Sequence, residues 1–198
     1  MRDPARSIRL ATHADAAQVA DIYRPIVAGT AISFELAPPA PAEMEQRIRG
    51  VLGFAPWLVC EEGGSLAGYA YASRHRERAA YRWCVDVSVY VRDGRRRGGL
   101  GRALYGSLFA LLRLQGFCAA HAGVTLPNPA SVGLHESLGF LPVGVYRKVG
   151  FKDGAWHDVG WWQLELRERR GEPPPVLSMD ELRRHPGFEG ALAAGLGG

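Results

Sequence analysis

VYVRDGRRRGGLGR, residues 89–102, joins an alternating apolar segment to a glycine-rich basic loop, which leads directly into a long apolar segment. The alternation around Val89 predicts a strand, and the leucines between Leu104 and Leu112 recur at helical spacing. Glycines let the loop backbone turn tightly, and the first N–H groups of a helix have no partners within it. Because such donors attract phosphate, the sequence predicts a pyrophosphate cradle, with a solvated basic turn as the alternative.

The glycine spacing excludes two familiar phosphate-binding motifs. Arg96-x-x-Gly99-x-Gly101 lacks the Gly-Lys-Ser/Thr of a Walker loop and the third glycine of a dinucleotide-binding fingerprint. It resembles instead the Arg/Gln-x-x-Gly-x-Gly/Ala motif with which the GNAT superfamily of N-acetyltransferases binds acyl-CoA. A second match follows in residues 128–140, where Asn128, a helical segment and a Leu-Gly-Phe ending resemble the same superfamily.

Further motifs resemble one branch of that superfamily, the phosphinothricin acetyltransferases: Tyr81-Arg82-Trp83, Val89-Tyr90-Val91, residues 125–132, Leu134-His135-Glu136 and residues 150–162. The resemblance covers about residues 7–166. It implies direct acetyl transfer, in a ternary complex, from acetyl-CoA to the α-amine of a small amino-acid-like acceptor of the phosphinothricin, methionine sulfone or methionine sulfoximine type. It also implies a homodimer, no metal ion, and a connection with antibiotic or herbicide resistance.

Composition narrows the choice of compartment and partner. The 198 residues carry a formal net charge of +4 and are 47% hydrophobic and 22% charged, as expected for one globular domain. The basic clusters at 74–78 and 92–102 suit small anionic ligands, and they lack the interleaved aromatics that would favour nucleic acid. Three scattered cysteines, the absence of a segment of about 20 apolar residues and the absence of a signal-peptide core predict a cytoplasmic protein that does not enter membranes.

The order of predicted strands and helices favours an α/β fold, a GNAT-like three-layer αβα sandwich with a central mixed, mostly antiparallel sheet. We expect residues 7–168 to form the acetyl-CoA-dependent N-acetyltransferase domain. Beyond it, residues 169–198 become rich in charge and proline, and then in glycine and alanine. This composition predicts a partly disordered tail with one short helix.

Two side chains are candidates for the proton transfers of acetylation. Asp86 lies within an apolar strand, where aspartate is rare, and a neutral amine must be generated before it can attack a thioester. The branch usually has glutamate at this position, so the carboxylate here is shorter by one methylene. His135 matches a histidine of the branch and could protonate the leaving thiolate. The alternatives are a solvated aspartate and a histidine that only forms hydrogen bonds across its helix.

The resemblance also implies the binding residues. Those expected to hold the cofactor are Val89, Tyr90, Val91, Arg96, Arg97, Gly98, Gly99, Leu100, Gly101, Arg102, Asn128 and Ser131. Those expected to bind the acceptor are Phe34, Arg76, Arg78 and Tyr81. Guanidinium groups suit an acceptor that carries carboxylate, phosphinate or sulfone oxygens.

Two other functions stay open at this point. A GNAT fold could bind acyl-CoA as a regulatory module without catalysis, and the aspartate at position 86 is the feature that best supports this alternative. The acceptor could also be a protein N-terminus or a lysine, although an acidic groove would serve a protein acceptor better than neighbouring arginines do.

Overall fold

The computed structural model describes residues 6–96 and 98–197, which form one sheet covered by helices on both faces. The seven strands lie in the order β1-β2-β3-β4-β5-β7-β6. The strands are β1 Arg6–Leu10, β2 Trp57–Glu62, β3 Ser65–Arg74, β4 Cys84–Val91, β5 Ala119–Leu126, β6 Leu141–Lys152 and β7 Ala155–Glu165. The helices are α1 Ala16–Gly29, α2 Pro41–Leu52, α3 Leu100–Gln115, α4 Pro129–Ser137, α5 Met179–Arg184 and α6 Phe188–Ala193.

Alternation along the strands separates the two layers of the core. Val85 and Val87 of β4 belong to the cluster that α3 covers, together with Leu104 and Leu108 of that helix. The opposite face packs against α1 and α2. The expected three-layer sandwich around a mixed, mostly antiparallel sheet is therefore confirmed, and Asp86 lies on the face opposite α3 because its neighbours Val85 and Val87 point towards that helix.

The parallel strands β4 and β5 pair over a short length only. Their register covers Cys84 to Asp86 opposite Ala119 to His121, and within the described residues it extends no further. β4 then continues to Val91 while it pairs with β3 on its other side. The two strands separate beyond Asp86, which leaves one edge of β4 free to pair with an extended ligand.

The C-terminal segment differs from the sequence-based expectation of a partly disordered tail with one short helix. It contains two helices, and Met179, Leu182 and Phe188 are buried in the core cluster beneath α3. The backbone N–H of Leu177 donates to the carbonyl of Gln115 at 2.8 Å. The overall composition of the segment is polar and glycine-rich, but its few apolar side chains lie on one face of each helix and are buried there.

The described part of the chain contains no helix that is both long enough and apolar enough to cross a bilayer.

Candidate active site

The glycine-rich loop forms the predicted strand-to-helix turn. Gly99 caps α3 with φ +75°, a left-handed conformation that favours glycine. The first intrahelical bond after it runs from Ala103 N to Gly99 O at 2.9 Å. The N–H groups of Leu100, Gly101 and Arg102 precede that bond, so they lie at the positive end of the helix dipole. Arg97 lies outside the described residues.

Three of the loop arginines that the structure describes have partners within the protein. Arg95 pairs with the buried Glu62 at 2.9 Å, and Arg96 pairs with Asp93 at 2.8 Å. Arg102 donates to the hydroxyl of Ser137 at 2.8 Å. These contacts fix the loop and make its main-chain donors, rather than its guanidinium groups, the natural contacts for a diphosphate.

Gly101 brings α3 and α4 together. A Cβ at this position would lie 3.1 Å from Cδ2 of Leu134 in α4, so the glycine permits a close helix contact. Asn128 caps α4 by accepting a hydrogen bond from the backbone N–H of Ser131 at 3.1 Å. The structure thus places Asn128 and Ser131 at the start of a helix that packs directly against the cradle.

Val89, Tyr90 and Val91 lie on the part of β4 that has separated from β5. They pair with β3 on one side, opposite residues 68–70. Gly68 is required there, because a Cβ would lie 2.8 Å from the carbonyl oxygen of Tyr90. The free edge of β4 runs from Asp86 towards the glycine-rich loop, which is the path that a pantetheine arm would need.

Asp86 is half-buried where β4 and β5 separate. Its Oδ1 lies 2.6 Å from Nδ1 of His75, a residue that follows the last residue of β3. Burial raises the pKa of the Asp86 carboxyl above its ordinary value near 3.8, while the hydrogen bond with His75 opposes that rise. The solvated aspartate of the alternative interpretation does not match this environment.

His75 is a functional candidate that sequence reasoning missed, and His121 is the ring that stacks against it. Their rings stack with centroids 4.2 Å apart and planes 19° apart. His121 pairs with Asp86 in the β4–β5 register, and its Nε2 lies 3.2 Å from Oε1 of Gln163. The available signal was the presence of histidines on segments predicted to neighbour the Asp86 strand. Their closeness to Asp86 depends on a strand register that the sequence does not reveal.

His135 is buried, with both ring nitrogens close to partners inside the protein. Nδ1 lies 2.7 Å from the carbonyl oxygen of Ser131, one helical turn earlier, and Nε2 lies 3.1 Å from the hydroxyl of Tyr105. Burial lowers the pKa of His135 below its ordinary value near 6.5. This geometry matches the alternative of hydrogen bonding across the helix more closely than a role as proton donor.

The expected acceptor residues lie in two groups. Tyr81 packs edge-on against His75, and Arg76 bonds the carbonyl of His75 at 2.7 Å, whereas Arg78 is exposed before the short turn Ala79–Tyr81. Phe34 lies against Gly150, so closely that no Cβ would fit there.

The two groups lie at opposite ends of the strand opening. The loop that carries Phe34 reaches Thr125 of β5, whose hydroxyl lies 3.4 Å from the carbonyl of Ile32. Thr125 is four residues beyond His121, a separation of about 13 Å along a strand. Trp161 lies between the groups, since its ring covers Gly123 and stands 6.3 Å from His75. The structure therefore brings Arg76 and Tyr81 to the neighbourhood of Asp86, leaves Arg78 exposed, and sets Phe34 at the far end of the opening.

Comparison with known proteins shows which family has this arrangement of strands, helices and glycine-rich loop. Residues 8–161 match the model of the family described as the acetyltransferase (GNAT) domain. The chain belongs to the GNAT acetyltransferase family. The expected family and enzyme class, an acetyltransferase, are thereby confirmed.

Three relatives show how specific the similarity of this GNAT acetyltransferase is. The phosphinothricin N-acetyltransferase of Streptomyces viridochromogenes is 40% identical over 175 residues, which cover 88% of this chain and 95% of that protein. The L-methionine sulfoximine/L-methionine sulfone acetyltransferase of Salmonella typhimurium is 36% identical, with 82% and 95% covered. The crystal structure of a phosphinothricin acetyltransferase from Sinorhizobium meliloti, solved in complex with acetyl-CoA, superposes with a TM-score of 0.83 at 35% identity and covers 91% and 99%.

Proposed function

We propose that this acetyltransferase moves the acetyl group of acetyl-CoA to the α-amine of a small amino acid that bears phosphinate, sulfone or sulfoximine oxygens. The main support for this proposal is that β4 separates from β5 directly after Asp86. A free strand edge therefore lies between the Asp86 carboxylate and the cradle at the start of α3. The names of the relatives support the donor and the class of acceptor.

On this proposal, the chain's own main-chain groups hold the acyl donor. The free edge of Val89, Tyr90 and Val91 pairs with the amides of the pantetheine arm. The diphosphate lies on the N–H groups that begin α3, and the loop of residues 96–102 shapes the cradle. The side-chain amide of Asn128 keeps its N–H donors for the donor molecule, because only its oxygen is used to cap α4.

The acceptor amine must lose a proton before it attacks the thioester carbonyl, and Asp86 supplies the negative charge that draws the proton away. The guanidinium groups of Arg76 and Arg78 suit the carboxylate, phosphinate or sulfone oxygens of the acceptor. Tyr81 lies on the same side, and Phe34 closes the far end of the opening. The hydrogen bond between His135 and Tyr105 joins α4 to α3, which gives this histidine a positioning role.

A panel of acceptors tests the proposed function. Purified protein is incubated with acetyl-CoA and phosphinothricin, methionine sulfone, methionine sulfoximine, methionine or a peptide with a free N-terminus, while free thiol is followed. Saturable thiol release with the first three supports the proposal. Release with the peptide alone identifies a protein acetyltransferase, and release with none, despite acetyl-CoA binding in calorimetry, identifies a regulatory module.

Asp86→Asn tests the assignment of the carboxylate. The substitution keeps shape and hydrogen bonding but removes the charge, so turnover should fall by about 10²-fold or more while the Kd for acetyl-CoA stays unchanged. An equal loss of turnover and of acetyl-CoA affinity would contradict the assignment.

We further propose that the enzyme is a homodimer built on the β6–β7 hairpin. Val143, Val145, Phe151 and Trp156 are all exposed there, and Trp156 has 61% of its surface accessible. Large apolar side chains exposed together on one hairpin are typical of an interaction site. Analytical ultracentrifugation should show a dimer that Val145→Asp dissociates. A matched variant at the exposed Leu36 should stay dimeric, and a monomeric unmodified protein would refute the proposal.

The cytoplasm is the compartment we propose, since Cys60, Cys84 and Cys118 are free thiols. Cell fractionation with an antibody against the chain would test this assignment, and recovery outside the cytoplasmic fraction would contradict it.

A further inference from the structure

His75 is in direct contact with the carboxylate at the centre of the site. Its Nδ1 lies 2.6 Å from Oδ1 of Asp86, and the two side chains keep 14% and 28% of their surface exposed. With Asp86 ionised, Nδ1 carries the proton and donates it to the carboxylate. This tautomer leaves the lone pair on Nε2, the nitrogen on the far side of the ring from Asp86. Within the described residues, no hydrogen bond occupies Nε2.

The shorter side chain at position 86 gives this contact a function. Relative to a glutamate, the Asp86 side chain is shorter by one methylene, and a displacement of about an ångström can reduce a rate about 10²-fold. The imidazole of His75 is hydrogen-bonded to the carboxylate and adds a second group that can accept a proton. The aspartate then stabilises the imidazolium that forms when Nε2 accepts a proton.

The surroundings of His75 allow one of the two stacked rings to be charged. The titratable and charged groups around it are Asp86, His121, Tyr81 and the adjacent Arg76. Burial, and then the neighbouring His75, lower the pKa of His121, which disfavours a second positive charge in the stack. Asp86 is in direct contact with His75, and it is the counter-ion for that charge.

The ring geometry favours proton transfer over metal binding at this cluster. His75, Asp86 and His121 offer ligand atoms within 4.8 Å of one another, as a metal site requires. Imidazole lone pairs lie in the ring plane, however, and two planes only 19° apart with centroids 4.2 Å apart direct them along parallel paths rather than to one point.

We propose that His75 is the general base of the acetyl transfer and that Asp86 orients it and balances its charge. This inference rests on the proposed function. Nε2 of His75 takes a proton from the ammonium group of the acceptor, and the freed nitrogen lone pair forms the C–N bond to the acetyl carbonyl carbon. The C–S bond then breaks and its electron pair leaves with sulfur. The new amide nitrogen releases its second proton to solvent, and the thiolate is protonated from solvent.

His75→Asn separates a base from a residue that only positions Asp86. The amide nitrogen of asparagine can occupy the place of Nδ1 and keep the hydrogen bond to Asp86, but asparagine cannot accept the proton. We expect kcat to fall by about 10²-fold or more, with the Kd for acetyl-CoA unchanged. The acidic limb of the pH profile of kcat/KM should disappear, and added imidazole should restore part of the rate.

His121→Asn is the matched control, since it changes a ring of the same stack that is not hydrogen-bonded to Asp86 in the structure. We expect its kcat to stay within about tenfold of the unmodified enzyme, because a general base contributes about 10²–10⁴-fold. Melting curves and acetyl-CoA titrations establish that each variant is folded. If His75→Asn retains kcat while Asp86→Asn loses it, Asp86 acts alone and the inference is wrong. If the unmodified protein acetylates no acceptor, the proposed function fails with it, which is a distinct result.

Discussion

Acidification from about pH 7 to about pH 5.5 should destabilise the fold through its buried histidines. His135 is only 4% exposed, and burial lowers its pKa below the ordinary value near 6.5. The unfolded chain therefore binds a proton near pH 6.5, whereas the folded chain resists it. Stability that is present above pH 6.5 is lost as the pH falls towards the lowered pKa of the folded state.

The size of the effect follows from the unfolded pKa alone. Between about pH 7 and about pH 5.5, a histidine that stays neutral in the fold costs up to about 1.3 kcal/mol of unfolding free energy. The pKa of His121 is lowered by burial in the same direction, so this half-buried ring adds to the loss. Asp86 has a raised pKa and opposes this trend, but it is present in every variant compared.

Urea unfolding at the two pH values measures the loss. In the double variant His135→Leu/Tyr105→Phe both members of the buried pair become apolar, so the pH-dependent loss should shrink by up to about 1.3 kcal/mol. Tyr105→Phe alone is the control: it leaves Nε2 of His135 without its partner and costs about 1–3 kcal/mol at pH 7, but keeps the pH dependence. An identical pH dependence in the double variant and the unmodified protein would refute the reasoning.

Four other substitutions have expected effects on the free energy of unfolding that urea denaturation can measure. Gly99→Ala should cost about 1–2 kcal/mol through its φ of +75° alone, since an added Cβ has no atom within contact distance. Gly133→Ala, inside α4, should instead stabilise the fold by up to about 1 kcal/mol. Equal effects of the two substitutions would contradict this account. Lys152→Met should cost about 1–3 kcal/mol for each of the two carbonyl groups that the buried ammonium now bonds, and a neutral result would show that they find other donors. Leu182→Ala should cost about 2–5 kcal/mol because Leu182 is fully buried, and a cost below 1 kcal/mol would mean that the C-terminal helices do not belong to the core.

The sequence predicted most accurately where a local pattern and a long-range requirement coincide. The alternation around Val89 identified the strand, whose Val85 and Val87 face the core, and the glycine-rich loop identified the turn that begins α3, where Gly99 is left-handed. The strand begins at Cys84, after a short 3-10 turn over Ala79–Tyr81.

The contact between His75 and Asp86 could not be predicted from the sequence for a physical reason. It depends on β3 and β4 pairing with Ser73 opposite Asp86, and on the chain turning back immediately after Arg74. A shift of one residue in that register would place the side chain of Asp86 on the other face of the sheet.

The C-terminal segment has a role in the site although it contributes no residue to it. Ser107, in the middle of α3, donates to the carbonyl of Leu192 at 2.6 Å and accepts from the N–H of Gly195 at 3.1 Å. Gln115, at the end of α3, donates to the carbonyls of Phe54 and Leu177. These bonds fix the rotation and axial position of the helix at its middle and its C-terminal end.

The N-terminal end of α3 is fixed separately, because Gly101 admits Leu134 of α4 at close range. The cradle is the first turn of α3, and the helix moves as one unit. Any rotation of α3 would therefore move the N–H donors of the cradle relative to the free edge of β4. Catalysis by orientation tolerates displacements of less than about an ångström between acyl donor and acceptor. On the proposed function, the tail therefore contributes to the alignment of the acyl donor with Asp86 by holding the far end of the helix that begins at Leu100.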